Sequence, residues 1–238
     1  MGDFIQTGTE VCFDGGKIDR IDTCEEENQV YVKVTDYKTG SKAFDMTAFY
    51  YGLQLQLADY LNAALELEKK KHPNKEIIPA GIFYYQMKDP MVEKTEEDQV
   101  QDALLKELRP DGLVSSDPEV LNHLDHTGTR SSLAAPFARN KDGSISKTSR
   151  AASRKEFELL SSYTRKKTGQ LKEEILEGNA KKEPYELGTS TGCDYCPYHG
   201  ICGFDEKIEG CGYRNLVSQK REEIFRLIAR ELSEWEGE

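Results

Sequence analysis

Apolar and polar residues alternate with period two through the most regular strand signal of the chain. Val30, Val32 and Val34 share one face, and Tyr31, Lys33 and Thr35 the other. Continuing the parity puts Asp36 and then Lys38 on the valine face, where a charge is costly without a partner or a ligand. A preceding strand is read over roughly Lys17 to Asp22, turning at Thr23-Cys24-Glu25-Glu26-Glu27-Asn28, so that the hairpin returns Asp36 to the neighbourhood of Asp19. From Thr47 to about Lys71 the period becomes helical, with Leu53, Leu57, Tyr60, Leu61 and Ala64 on one face and Gln56 and Tyr60 one turn apart.

Further along, Ile77 to Gln86 reads as a buried strand. Arg109 to Ser149, with its Pro, Gly, Ser and Asp clusters, reads as a long excursion carrying short elements such as Pro118 to Leu124. Ser153 is placed to cap a helix starting near Arg154, with Glu156 at the capping-box position. Its apolar positions are Phe157, Leu160, Tyr163, Leu171, Ile175 and Leu176. Val217 to Trp235 is a final amphipathic helix. The expected architecture is α/β, a mixed central sheet flanked by helices, in one domain over residues 1–238 with a cysteine segment at about 190–212.

Two carboxylates and a lysine delivered to neighbouring strands form a metal-dependent phosphodiesterase arrangement. Asp19 and Asp36 suit a hard divalent cation, Mg²⁺, while leaving positions for water and a phosphate oxygen, with the Tyr37 carbonyl as a further ligand. Lys38 orients the attacking water or stabilises charge on the phosphorane-like transition state.

Gly16-Lys17-Ile18-Asp19, Asp36-Tyr37-Lys38 and Gln56-Leu57-Ala58-Asp59-Tyr60 resemble, in order and spacing, the G-x-x-D, (D/E)-x-K and Q-x-x-x-Y motifs of the PD-(D/E)XK nuclease superfamily, in its RecB-like group. Nearly the whole chain, most closely outside Gly112 to Ser149, is similar to the C-terminal nuclease domains of AddB-type subunits of bacterial helicase-nucleases. The resemblance implies a restriction-endonuclease-like core, metal binding by Asp19 and Asp36, catalysis by Lys38, and a site role for Gln56 and Tyr60. It further implies a DNA exonuclease acting in double-strand-break processing for recombinational repair. The substrate would be the 5′-ended strand, and the partners DNA, an AddA-like subunit and the rest of an AddB-like chain. The family's helix before the first strand, often with a metal-associated His, has no counterpart here: His72, His123, His126 and His199 all lie downstream.

Cys193, Cys196 and Cys202, spaced C-x₂-C-x₅-C, read as ligands of one metal centre. In AddB-type domains this triplet resembles the ligands of a [4Fe-4S] cluster whose fourth cysteine lies far upstream. Cys12 and Cys24 do not match that position, Cys24 being read in the hairpin turn. The cluster is therefore expected to be incomplete or absent within this chain, and a local zinc site using Cys211 or His199 is the open alternative. A disulfide framework suits small secreted domains, whereas this chain clusters its cysteines as ligands and shows no signal peptide, which favours the bacterial cytoplasm. No apolar run reaches membrane-spanning length.

At 238 residues, 37% hydrophobic and 32% charged, the chain can bury a core. Its net charge of −11 sits awkwardly with DNA, which is held mainly through basic surfaces. The balance is uneven: Arg139 to Lys182 carries twelve Lys and Arg against six Asp and Glu, a net of +6 that leaves −17 on the remainder. Arg139, Lys141, Lys147, Arg150, Arg154 and Lys155 are the candidate phosphate contacts. The sequence lacks a G-x-x-x-x-G-K-[ST] phosphate loop, and its opening at Met1-Gly2-Asp3, close to the catalytic hairpin, reads as an excised module fed by a larger machine. The competing reading is a DNA-binding or scaffolding module that keeps the architecture and a structural metal site but has lost the chemistry.

Overall fold

The structure, a computed structural model, describes residues 5–8, 11–13, 16–92 and 97–235, with side chains described over 16–92 and 100–235. The elements in chain order begin with β1 (Ile5–Gly8), β2 (Val11–Phe13), β3 (Gly16–Ile18), β4 (Arg20–Glu25), β5 (Gln29–Lys38), α1 (Met46–Tyr50), α2 (Gln56–Lys71) and β6 (Glu76–Gln86). There follow α3 (Glu97–Glu107), β7 (Asp111–Ser115), α4 (Pro118–Leu124), β8 (Ala151–Ala152) and α5 (Arg154–Leu176). The last are β9 (Tyr185–Leu187), β10 (Ser190–Thr191), α6 (His199–Cys202), β11 (Arg214–Asn215) and α7 (Arg221–Trp235). Backbone contacts group the chain into two compact units: Met1–Phe44 with Gln54–Thr164, and Asp45–Leu53 with Arg165–Glu238.

The first unit is built on a six-stranded sheet in the order β1-β4-β5-β6-β7-β8. β4 pairs antiparallel with β5, β5 parallel with β6, β6 antiparallel with β7 and β7 parallel with β8, which makes the sheet mixed, as the alternation of strand and helix signals requires. The parallel β5/β6 step needs a crossover, and α2, which lies against both strands, runs within it. Val30, Val32 and Val34 are buried, as are Leu57, Leu61 and Ala64 of α2. Residues of opposite parity, Cys24 and Tyr31, pack with Ile78, Ala80 and Val120 in a second cluster. A third joins Phe83, Val114, Leu121, Ala135 and Phe137. Both faces of the central strands are therefore covered, and β5 and β6 are buried over most of their length.

Five sequence expectations are corrected here. The helix read over Thr47 to Lys71 is two helices, because Gly52 turns left-handed (φ 82°) and the amides of Gly52 and Leu53 fold back onto the carbonyls of Phe49 and Ala48. The hairpin turn is shorter than Thr23 to Asn28: β4 continues to Glu25, so Cys24 is a buried strand residue paired with Tyr31. The Arg109 to Ser149 excursion contains a core strand, β7, beside the α4 helix that Pro118 to Leu124 does form. Of the apolar positions of α5, Phe157, Leu160 and Tyr163 are buried, but Leu171, Ile175 and Leu176 are exposed, and Val217 lies before α7 rather than in it.

Where local chemistry is specific, the boundaries fall as the residues dictate. Ser153 caps α5 with both halves of the box in place, Ser153 N to Glu156 Oε2 at 2.6 Å and Glu156 N to Ser153 Oγ at 3.3 Å. α2 and α5 are tied by a polar pair that satisfies buried Asn62, whose Nδ2 donates to the Ser161 carbonyl while Ser161 Oγ donates to Asn62 Oδ1.

In the second unit Asp45 caps α1, accepting from Ala48 N at 2.8 Å, and Tyr50 OH hydrogen-bonds Glu231 of α7. α7 buries Ile224, Phe225 and Ile228. Three short strands, β10-β9-β11, lead into and out of the cysteine segment. Among the described residues no helix is long and apolar enough to cross a membrane.

Candidate active site

The site grows from the end of the β4/β5 ladder. The last pair of that ladder is Arg20 with Thr35, so two residues further along β5 the Tyr37 amide has no backbone acceptor on β4. Asp19, at the bend between β3 and β4, supplies the acceptor instead: Tyr37 N donates to Asp19 Oδ2 at 3.0 Å. The sequence expectation that the hairpin brings Asp19 beside Asp36-Tyr37-Lys38 is thus met by a hydrogen bond to the residue between the two.

Asp36 is buried, on the face that strand parity assigns to it. Lys38 Nζ lies 2.5 Å from Asp36 Oδ2 but off the hydrogen-bonding direction, so that this oxygen has compensated charge and, among the described residues, no hydrogen-bond donor. Lys38 instead donates to Gln56 Oε1 at 3.0 Å, and Gln56 Nε2 donates to Tyr60 OH at 2.9 Å. Gln56 and Tyr60 meet because they begin α2 one turn apart. Asp19, Asp36, Lys38, Gln56 and Tyr60, scattered over some forty residues of chain, are therefore linked around one strand end.

The donor set fits a hard divalent ion. Asp36 Oδ2 is a buried carboxylate oxygen without a hydrogen-bond partner among the described residues, Asp19 brings a second carboxylate to the same strand end, and all the groups involved are oxygen donors.

One neighbour escaped the sequence reading. Tyr84, fully buried on β6, is the register partner of Asp36, and its hydroxyl has no hydrogen-bond partner among the described residues. Burial pushes its phenol up to about 12, with the charge of Asp36 and the proximity of Tyr60 acting in the same direction. Lys38 and Lys42 lie over its ring at 5.4 and 5.5 Å. In the sequence Tyr84 is one apolar position among many in a buried strand; only the β5/β6 register reveals its neighbour.

The reverse face of the same strands carries an ion cluster around the buried Asp22. Asp22 accepts from Arg20 Nε at 2.9 Å and lies 3.4 Å from Lys33 Nζ, and Arg20 Nη1 reaches Tyr37 OH at 3.3 Å. Burial pulls the Lys33 ammonium below its ordinary value, with Asp22 opposing.

The six candidate phosphate contacts all lie in the first unit, in differing surroundings. Lys141, Lys147 and Lys155 are exposed. Arg139 stacks on Phe137 at 5.0 Å and reaches Asn122. Arg150 is paired with Asp111 and the Phe44 carbonyl, and Arg154 with Glu76 and Glu158.

In the second unit Cys193, Cys196, Cys202 and Cys211 are half-buried free thiols. The segment around them exposes Tyr195, Tyr198, Ile201 and Ile208. The triplet read from the sequence, Cys193, Cys196 and Cys202, lies within this segment. Elsewhere, Cys24, Glu26 and His123 bring one ligand atom each to within 4.8 Å of one another.

Comparison with known proteins shows the family. The family model of the PD-(D/E)XK nuclease superfamily matches residues 2–203. The B subunit of the ATP-dependent helicase/deoxyribonuclease of Lachnoclostridium phytofermentans is 41% identical over 91% of this chain and 19% of its own length. The proteins of the same name from Alkaliphilus metalliredigens and Clostridium acetobutylicum are 42% and 36% identical, over 91% and 97% of this chain and 19% and 20% of theirs. The chain spans about a fifth of the length of the curated relatives it matches. With its mixed sheet, the strand-end carboxylates and a family match over most of its length, the chain belongs to the PD-(D/E)XK nuclease superfamily.

Proposed function

We propose that this chain is a Mg²⁺-dependent deoxyribonuclease module that hydrolyses DNA phosphodiester bonds at Asp19, Asp36 and Lys38. The observation that carries the reading is the hydrogen bond from Tyr37 N to Asp19 Oδ2, which ties the first carboxylate to the backbone between the second carboxylate and the lysine. Asp19 and Asp36, with the Tyr37 carbonyl, would hold the ion through oxygen atoms. When bound, Mg²⁺ supplies Lewis-acid polarisation of the phosphate and a water of lowered pKa. Gln56 draws the Lys38 ammonium away from exclusive contact with Asp36, and Tyr60 fixes Gln56 in turn. Lys38 so held can orient the attacking water and stabilise negative charge as it develops on the phosphate oxygens.

The relatives' shared name supports a wider reading, in which the chain is the nuclease part of a helicase-nuclease, and the resemblance of its motifs extends that reading to double-strand-break processing for recombinational repair. In this reading it is an exonuclease cutting the 5′-ended strand in the bacterial cytoplasm, beside an AddA-like subunit and the rest of an AddB-like chain. The two compact units act as one nuclease module. A strand delivered by other parts of such a machine suits a chain of net charge −11. Lys141, Lys147 and Lys155 are available to phosphates, joined by Arg139, while Arg150 and Arg154 would exchange carboxylate partners for phosphate. Cys193, Cys196 and Cys202 would hold three corners of a structural [4Fe-4S] cluster in the longer protein, with a fourth cysteine from outside this run.

The test is cleavage of end-labelled single-stranded DNA by this chain with and without Mg²⁺, beside the Asp36→Ala variant. Cleavage that needs the ion and vanishes in the variant is expected. Equal cleavage by the variant would remove the assignment.

A further inference from the structure

We propose that Cys24, Glu26 and His123 form a mononuclear site for a divalent transition-metal ion of the zinc class, separate from the nuclease centre. The three come from different places: Cys24 from β4, Glu26 from the turn after it, and His123 from α4. Their ligand atoms all lie within 4.8 Å of one another. His123 Nε2 is 3.4 Å from Glu26 Oε1. A tetrahedral metal with bonds of about 2.0–2.1 Å to nitrogen and oxygen has a ligand–ligand edge of about 3.4 Å, so this pair is already spaced for coordination.

The surroundings favour a cation. Glu26, Glu27 and Glu119 line a cleft of about 490 Å³ together with Tyr31, Asn122 and His123. α4 presents Glu119 and His123 four residues apart, with the His123 ring 5.3 Å from that of Tyr31, which holds the imidazole against the sheet. A thiolate and an imidazole select zinc-like ions over Mg²⁺, which takes oxygen ligands. The Cys24 thiol would lose its proton to solvent as the sulfur–metal bond forms. One thiolate, one carboxylate and a neutral imidazole then balance a doubly charged ion, which makes the set compatible with the complete burial of Cys24. The fourth position would face the cleft, open to water or an exchangeable ligand.

Cys24 pairs with Tyr31, five residues before Asp36 on β5, a separation of roughly 16 Å along the strand. The ion would therefore staple the far end of the β4–β5 hairpin to α4, away from the nuclease chemistry.

Because Cys193, Cys196, Cys202 and Cys211 also take thiophilic ions, the test uses the full chain with serine at those four positions, titrated with Co²⁺ alone under reducing conditions. One bound equivalent is expected, with a thiolate-to-cobalt charge-transfer band, four-coordinate visible bands and displacement by Zn²⁺. His123→Ala should weaken Co²⁺ by more than about a hundredfold, beyond what loss of an outer-shell partner costs, without changing the far-ultraviolet circular dichroism. A folded four-serine chain without the thiolate band, or a His123→Ala variant with unchanged affinity, overturns the proposal. Zinc content provides a second measurement in the otherwise unaltered chain: His123→Ala should hold one equivalent less than its parent, and equal content overturns the site.

Discussion

Asp36 and Tyr84 are register partners across the parallel β5/β6 pair, both buried, and each carries a side-chain oxygen, Oδ2 and OH, with no hydrogen-bond partner among the described residues. The Asp36 oxygen has the Lys38 ammonium 2.5 Å away, whereas the Tyr84 hydroxyl is a buried polar group left unsatisfied, at a cost of about 1–3 kcal/mol. Tyr84→Phe removes that hydroxyl and keeps the ring. We predict a melting temperature unchanged or raised, and DNA cleavage lowered about tenfold through loss of a donor beside Asp36. A Tyr84→Phe variant with full activity would assign the hydroxyl no part in the site.

Gln56 hydrogen-bonds both Lys38 and Tyr60. Gln56→Leu should leave the fold intact, since the position is only half-buried at the start of α2, but release Lys38 to Asp36. Cleavage is expected to fall about tenfold to a hundredfold, as positioning losses do. Comparing single-turnover cleavage with the far-ultraviolet circular dichroism of the same sample checks both halves of the prediction.

Gly112 lies on β7, paired with Phe83 of β6. Its φ is +150°, and a Cβ there would stand 2.0 Å from the Ile82 carbonyl oxygen, an overlap that no side-chain rotation relieves. Gly112→Ala should cost about 3 kcal/mol or more, seen as a lowered urea midpoint. Gly143, also at positive φ (+82°) but with nothing within 4 Å of where a Cβ would stand, should cost far less when changed to Ala.

Asp125 contributes to the acid sensitivity of the fold. Burial pushes its carboxyl up, but hydrogen bonds from Ser132 and from the Thr127 hydroxyl and amide, with the charge of Arg139, outweigh burial and hold it below the ordinary carboxylate range. A carboxyl lowered in the folded state adds stability that is complete above the unfolded value near 3.8 and is lost as pH falls through the folded value. Asp125→Asn should therefore cost about 1.5 kcal/mol at neutral pH and flatten the loss of stability below about pH 4, measured by urea unfolding across pH.

What could be read from residues alone was whatever depends on local order. Strand parity put Asp36 on the buried face, the Ser153–Glu156 box fixed the start of α5, and the three spaced motifs pointed to the family that the chain does belong to. These signals survive because period and capping chemistry act within a few residues. The split of α1 from α2 at Gly52 was hidden, since a glycine inside a helical pattern is tolerated as often as it breaks one. Strand β7 was hidden for a related reason: five residues among turn signals become a strand only because β6 offers them a partner.

The alternation that buries Asp36, the lysine two residues on, and the one-turn spacing of Gln56 and Tyr60 were already written into the order of residues, because each is set by spacing along one element. Three-dimensional packing was needed to establish that the Tyr37 amide outlasts its ladder and binds Asp19, that Tyr84 faces Asp36, and that His123 reaches Cys24 and Glu26. Those relations join residues up to about a hundred positions apart, and no local period or propensity encodes the register of a strand pairing or the docking of a helix.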